Sequence, residues 1–186
     1  AALMSVVGSL NAHLIFPSLS EALRRSPPEA DRVYQRVQRI ADALLGGLAG
    51  LLFGLGHWAV WLLYDQRYQD AGWMLGWLAI GLVGVRFQVL EQMMFARAQP
   101  GWVTLANALR ALALLVFVPL GFLWGETEGA LVAVVLAQFA GWPSALLFKY
   151  RQGLPLLRSE VVWPLTLLLG LAVGQALNAA LLTLWG

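Results

Sequence analysis

The sequence predicts an all-α, polytopic membrane helix bundle of about six transmembrane segments, the first of them truncated. Three observations carry that reading. Only 12% of the residues are charged and 60% are hydrophobic, whereas a soluble domain averages roughly 25% charged. Mean hydropathy is +0.71. The apolar residues also gather into long runs, suited to helices crossing a roughly 30 Å hydrocarbon core. These runs are too long and too evenly apolar for barrel strands, and an open sheet would leave backbone amides unpaired in lipid.

Taken in order, the first run covers residues 1–16. It opens on Ala1 with no positive stretch before it, so it is not a signal peptide. It reads as the second half of a membrane helix, and the chain as a fragment of a longer protein. The connection 17–39 follows, broken at Pro27-Pro28. Beyond the break Val33, Val37 and Ile40 recur at helical spacing with charges opposite. That pattern predicts a short amphipathic helix on the cytoplasmic surface, the alternative being a plain extension of the next span. The remaining spans are 40–64, 72–95, 102–124, 130–148 and 161–185, and residues 1–186 form one bundle.

Small residues and prolines mark packing and bends. Gly46, Gly50 and Gly54 share a helix face, and Gly170 and Gly174 repeat the spacing. Such stripes let backbones approach closely in lipid, here for internal packing or a dimer face. Pro119 and Pro143 interrupt two helices, and Pro164 lies near the start of the last.

The charges set the orientation. Connections 17–39, 96–101 and 149–160 hold nine basic residues, while 65–71 and 125–129 hold one, Arg67. The positive-inside rule therefore places the first group in the cytoplasm. Trp58, Trp61, Trp73, Trp77, Trp124 and Trp185 then fall near the outer ends, Trp102 and Trp163 near the inner ends, and Trp142 packs between helices. A net charge of +2 gives no footing for nucleic acid.

The polar residues inside the spans point to chemistry. Arg86 and Arg110 lie in neighbouring antiparallel segments, each about 13 Å from their shared link at helical rise. Arginine in lipid is costly and faces a partner or a wet cavity. Gln88 and Gln92 share a face of the first segment, and Asn107 and Arg110 share a face of the second. Glu91 reads as the only carboxylate well inside an apolar segment. One reading is an ion pair of Glu91 with Arg86 or Arg110 that merely fixes helix register. The other is a cationic, amide-lined cavity open to the cytoplasm, with both guanidinium forks gripping phosphate oxygens and Glu91 as a site for a coupling ion. Asp42 reads as a local partner of Arg39.

Several classes are set aside. With no cysteine and only His13 and His57, neither of them near a second ligand, there is no metal site. No phosphate-binding glycine loop, HExxH or GxSxG occurs, and no paired carboxylates stand at an aqueous face, so no catalytic residue and no cofactor is assigned and the chain is not read as an enzyme.

Several stretches together resemble the C-terminal half of a bacterial polysaccharide (O-antigen or exopolysaccharide) flippase, of the multidrug/oligosaccharidyl-lipid/polysaccharide exporter superfamily. They are Phe16–Ser20 before a basic connection, Tyr68–Ala71 with Leu75 and Leu78-Ala79, Gly125–Ala130 with Val132-Ala133, Gln138–Pro143, and the basic Lys149–Gly153. The resemblance implies one lobe of a two-lobe, alternating-access transporter in the bacterial inner membrane. Its implied substrate is an undecaprenyl-diphosphate-linked oligosaccharide carried from the cytoplasmic to the periplasmic leaflet, with Arg86 and Arg110 in the cationic cavity. It also implies an absent N-terminal lobe, or a second chain, as partner alongside membrane lipids. The alternatives are a related exporter of a peptidoglycan lipid precursor or a drug cation, or a polytopic enzyme of glycan assembly.

Overall fold

Every regular element among the described residues is helical, as the apolar runs require. The computed structural model describes residues 15–63 and 71–185. Residues 1–14 of the expected first span, His13 among them, and most of the connection with Arg67 and Tyr68 lie outside that range. The elements are α1 (Phe16–Arg25), α2 (Pro27–Leu63), α3 (Ala71–Val83), α4 (Arg86–Ala96), α5 (Gly101–Ala137), a 3₁₀ segment (Gln138–Gly141), α6 (Trp142–Arg151) and α7 (Leu156–Trp185). Four stretches are long and apolar enough to cross a membrane: Pro27–Gly56, Gly72–Ala96, Gly101–Arg151 and Glu160–Thr183.

Three boundaries differ from the sequence expectation. No separate surface helix covers residues 29–39, because α2 runs unbroken from the Pro27-Pro28 start. Its buried stripe is Ala30, Tyr34, Gln38 and Asp42, four residues apart, whereas Ile40 is 55% exposed. The expected span 72–95 divides at Gly84-Val85 into α3 and α4, and short-range bonds such as Gly84 N to Gly81 O (2.9 Å) and Val85 N to Leu82 O (3.0 Å) carry the chain across the division. The spans expected at 102–124 and 130–148 belong to one 51-residue apolar stretch, Gly101–Arg151. It folds back at Gly125 (φ −148°, ψ 24°) and Glu126 (φ 49°, ψ −129°) into two antiparallel arms. Gly121 and Gly129 face one another just beyond that turn, where a Cβ on either would strike the carbonyl of the other.

Glu126 holds a positive φ that glycine adopts without steric cost and other residues rarely do. Glu126→Gly is therefore expected to stabilise the fold by about 1 kcal/mol, measured as an upward shift of the unfolding midpoint in lipid or detergent. An unchanged or lower midpoint would show that the turn is not strained.

The helices α2 and α7 are parallel neighbours. Gly46 meets Trp163 and Thr166, Gly50 meets Leu167 and Gly170, and Gly54 meets Gly174, so the two chains advance together. The Thr166 hydroxyl donates to the Asp42 carbonyl at 3.0 Å, and the Trp58 indole donates to Asn178 Oδ1 at 2.5 Å. The glycine stripes thus serve a seam within the chain.

The main buried cluster, with Leu19, Tyr34, Met93, Met94 and Phe148 at its centre, lies toward the end where the basic connections meet. There Arg97, from the α4–α5 link, pairs with Asp31 of α2 and donates to Gln152 of the α6–α7 link. The three connections that the charge count groups together therefore share one end of the bundle.

Candidate functional site

The arginines expected to share a cavity sit in two different settings, both within reach of one aromatic ring. Each guanidinium carbon approaches Phe87, Arg86 at 5.6 Å and Arg110 at 5.4 Å from the ring centroid. A cation over an aromatic face is stabilised by the ring quadrupole, so Phe87 supports both charges.

Arg86, the first residue of α4, is enclosed. Its Nε donates to Asp42 Oδ1 at 2.7 Å and its Nη2 to Asp42 Oδ2 at 3.0 Å, the forked geometry that suits guanidinium and carboxylate. Its Nη1 donates to Glu160 Oε2 at 2.8 Å, and the other oxygen of Glu160 accepts from Lys149 Nζ at 2.6 Å. Asp42 is fully buried, Arg86 is 2% exposed and Lys149 is 3% exposed. Two cations and two carboxylates drawn from α2, α4, α6 and α7 thus form a neutral buried cluster. Gln38 donates to Asp42 at 2.7 Å, and the Trp142 indole donates to Glu160 at 3.1 Å.

This arrangement corrects several expectations. Arg86 does not open on an anion cavity, because a carboxylate already occupies each side of its fork. Asp42 does not pair with Arg39, whose Nε instead donates to the Gln35 carbonyl at 3.1 Å. Glu91 is not the only carboxylate within the spans, since Asp42 and Glu160 join it. Lys149 and Glu160, expected in a connection, are drawn into the helical interior, and Trp163 stacks near Arg86 (5.6 Å) and Phe139. The signal that could have found Asp42 is its place on the stripe Ala30–Tyr34–Gln38–Asp42, which no exposed acid would occupy.

Arg110 is different. Its Nη1 donates to Glu91 Oε1 at 2.7 Å and to Asn107 Oδ1 at 3.1 Å, while its buried Nε has no hydrogen-bond partner. Beside it lies a recess of about 210 Å³, to which Arg110, Gln88 and Gln138 bring the polar groups and Leu82 and Val135 apolar walls. Of the expected residues, Arg110 and Gln88 line this recess, Asn107 and Glu91 hold Arg110 from behind, and Gln92 is not among its lining. Gln138 was not among the residues expected at a binding site.

The local backbone explains the recess. The α3–α4 division at Gly84-Val85 lies against the 3₁₀ segment Gln138–Gly141, so two irregular stretches meet beside Arg110. Gly84 is needed there, because a Cβ would come within 3.1 Å of the Gln138 side chain. Gly141 is needed too, because a Cβ would reach 3.0 Å from Arg110 Nε. Within a membrane, non-helical backbone is tolerated where it is buried in protein or lines a wet cavity.

Searches against known protein families, curated proteins and solved structures find no match to this chain.

Proposed function

We propose that this chain is part of a membrane transporter that grips the anionic headgroup of a lipid-linked substrate at Arg110. The observation that carries the reading is Arg110 itself, a guanidinium that lines a recess between two helix breaks and whose buried Nε has no hydrogen-bond partner. An orphaned cationic donor in a dry setting is unfavourable unless a ligand or water completes it. Discontinuous helices near the bilayer midplane are the places where transporters build their binding sites. A recess of about 210 Å³ suits a phosphate or diphosphate group with its sugar outside.

The resemblance of the sequence to polysaccharide flippases names the substrate class: undecaprenyl-diphosphate-linked oligosaccharide moved from the cytoplasmic to the periplasmic leaflet of a bacterial inner membrane. In this role Asn107 and Glu91 orient Arg110, Gln88 and Gln138 offer amides to phosphate oxygens, and Glu91 is the neutralising partner when the headgroup is absent. Arg86, held by Asp42 and Glu160, and Gln92, which does not line the recess, have no binding role in this reading. The parallel course of α2 and α7 supports a crossing count near six. Parallel neighbours require an odd number of crossings between them. α3 with α4 supplies one, and the two arms of Gly101–Arg151 supply two.

The test uses protein reconstituted in vesicles with a fluorescent undecaprenyl-diphosphate sugar. Arg110→Ala is expected to slow flipping by at least about tenfold, the loss of one charged hydrogen bond. Gly81→Leu, at a glycine that lines the recess and has room for a Cβ, should block it while leaving the Arg110–Glu91 pair in place, and Glu91→Gln with Arg110→Gln should remove both charges without stranding either. Wild-type flipping in all three would overturn the assignment.

A further inference from the structure

The outward surface of α2 near its N-terminal end carries a feature that the Arg110 recess does not use. Arg32, Arg36, Ile40, Leu44 and Leu48 follow one another at four-residue intervals, the ridge spacing of an α-helix, and all five are exposed. Arg39, one turn from Arg36 and also exposed, widens the cationic part. The apolar part is 55% exposed at Ile40, 67% at Leu44 and 41% at Leu48.

The nearby acids are spent on other arginines. Glu21 and Glu29 pair with Arg25, and Asp31 pairs with Arg97. Among the described residues, Arg32, Arg36 and Arg39 have no carboxylate partner. Twelve residues separate Arg36 from Leu48, about 18 Å of helix, comparable to one leaflet of a 30 Å core. Cations at one end and aliphatic side chains over about 12 Å beyond them, from Ile40 to Leu48, match the two halves of one molecule: an anionic headgroup and its acyl chains.

We infer that this ridge binds an anionic glycerophospholipid in the leaflet that the basic connections assign to the cytoplasm, with Arg32, Arg36 and Arg39 on the phosphate and Ile40, Leu44 and Leu48 along an acyl chain. Juxtamembrane arginine clusters attract anionic lipid generally. What this ridge adds is a contiguous apolar track, which favours a lipid over a free anion. The site is separate from Arg110, so it stands or falls independently of the transport reading.

The experiment follows lipid retention by native mass spectrometry, and binding in phosphatidylcholine bilayers doped with phosphatidylglycerol. The wild-type protein should prefer phosphatidylglycerol to phosphatidylcholine. Arg32→Gln, Arg36→Gln and Arg39→Gln together should weaken that binding on the order of a hundredfold, and Arg36→Gln alone about fivefold. The single variant keeps the positive-inside bias, so it decides the matter if the triple variant fails to insert. The charge-matched control Arg24→Gln, Arg25→Gln and Arg151→Gln should retain phosphatidylglycerol. Equal weakening in the control would reduce the effect to bulk charge and overturn the site. So would displacement of the lipid by inorganic phosphate, or unchanged retention in Arg36→Gln.

Discussion

Asp42→Ala is expected to lower the stability of the folded protein by about 3–5 kcal/mol, the range found when one partner of a buried ion pair is removed. The carboxylate takes both sides of the Arg86 fork at 2.7 and 3.0 Å with no exposure to water. Without it Arg86 keeps only Glu160 of the two, and Glu160 is shared with Lys149. Reversible unfolding in bicelles measures the loss. A companion variant sharpens the meaning. Replacing Asp42, Arg86, Lys149 and Glu160 together by Leu or Met should recover most of the stability, because well-packed apolar groups often match a buried ionic network. If that variant is stable and matches the wild type in the flipping assay proposed above, the cluster is a structural joint. If it is stable and inactive, Arg86 has a part in transport that its closed surroundings conceal. A loss below about 1 kcal/mol in Asp42→Ala would mean that water reaches the cluster.

The second large effect belongs to the α2–α7 seam. A Cβ at Gly50 would fall on the Leu167 carbonyl and within 2.6 Å of the Leu171 amide nitrogen, both of them backbone atoms that cannot rotate aside. Gly50→Val is therefore expected to force the two helices apart and to cost at least about 3 kcal/mol, the upper part of the range for overpacking. The neighbouring Gly47 has open space where its Cβ would go. Gly47→Ala should thus be neutral, or stabilising by about 0.5–1 kcal/mol through helix propensity alone. Opposite signs at two glycines three positions apart would establish the seam. Losses of equal size would refute it.

Much of the helical organisation was legible in the sequence, because in lipid the length of an apolar run and the sidedness of basic residues are direct physical requirements. The convergence of Asp31, Arg97 and Gln152 at one end follows from the same charge count. The division at Gly84-Val85 was not legible, because it carries no proline and glycine in a membrane helix serves packing as often as bending. The break at Gln138–Gly141 was signalled by Pro143, which stands in the first turn of α6 directly behind it. The candidate site was half legible. Residue type singled out Arg110 and Gln88, which line one recess, but pairing is decided by which helices lie together. Asp42 and Glu160 are 118 positions apart in sequence, and nothing local indicates that both reach Arg86.

The seam between α2 and α7 has a further consequence. Small residues recur every four positions on both partners, at 46, 50 and 54 and at 166, 170 and 174. Slipping one helix along the other by a full repeat, about 6 Å of rise, would again set small residue against small residue. A periodic surface of this kind is a ladder with equivalent rungs, and van der Waals fit alone cannot count them. The count is kept at the two extremities, by the ionic joint at Asp42 and by the indole bond from Trp58 to Asn178. These polar contacts act as the pawl of a ratchet, so the choice of rung rests on a handful of directional bonds at the ends.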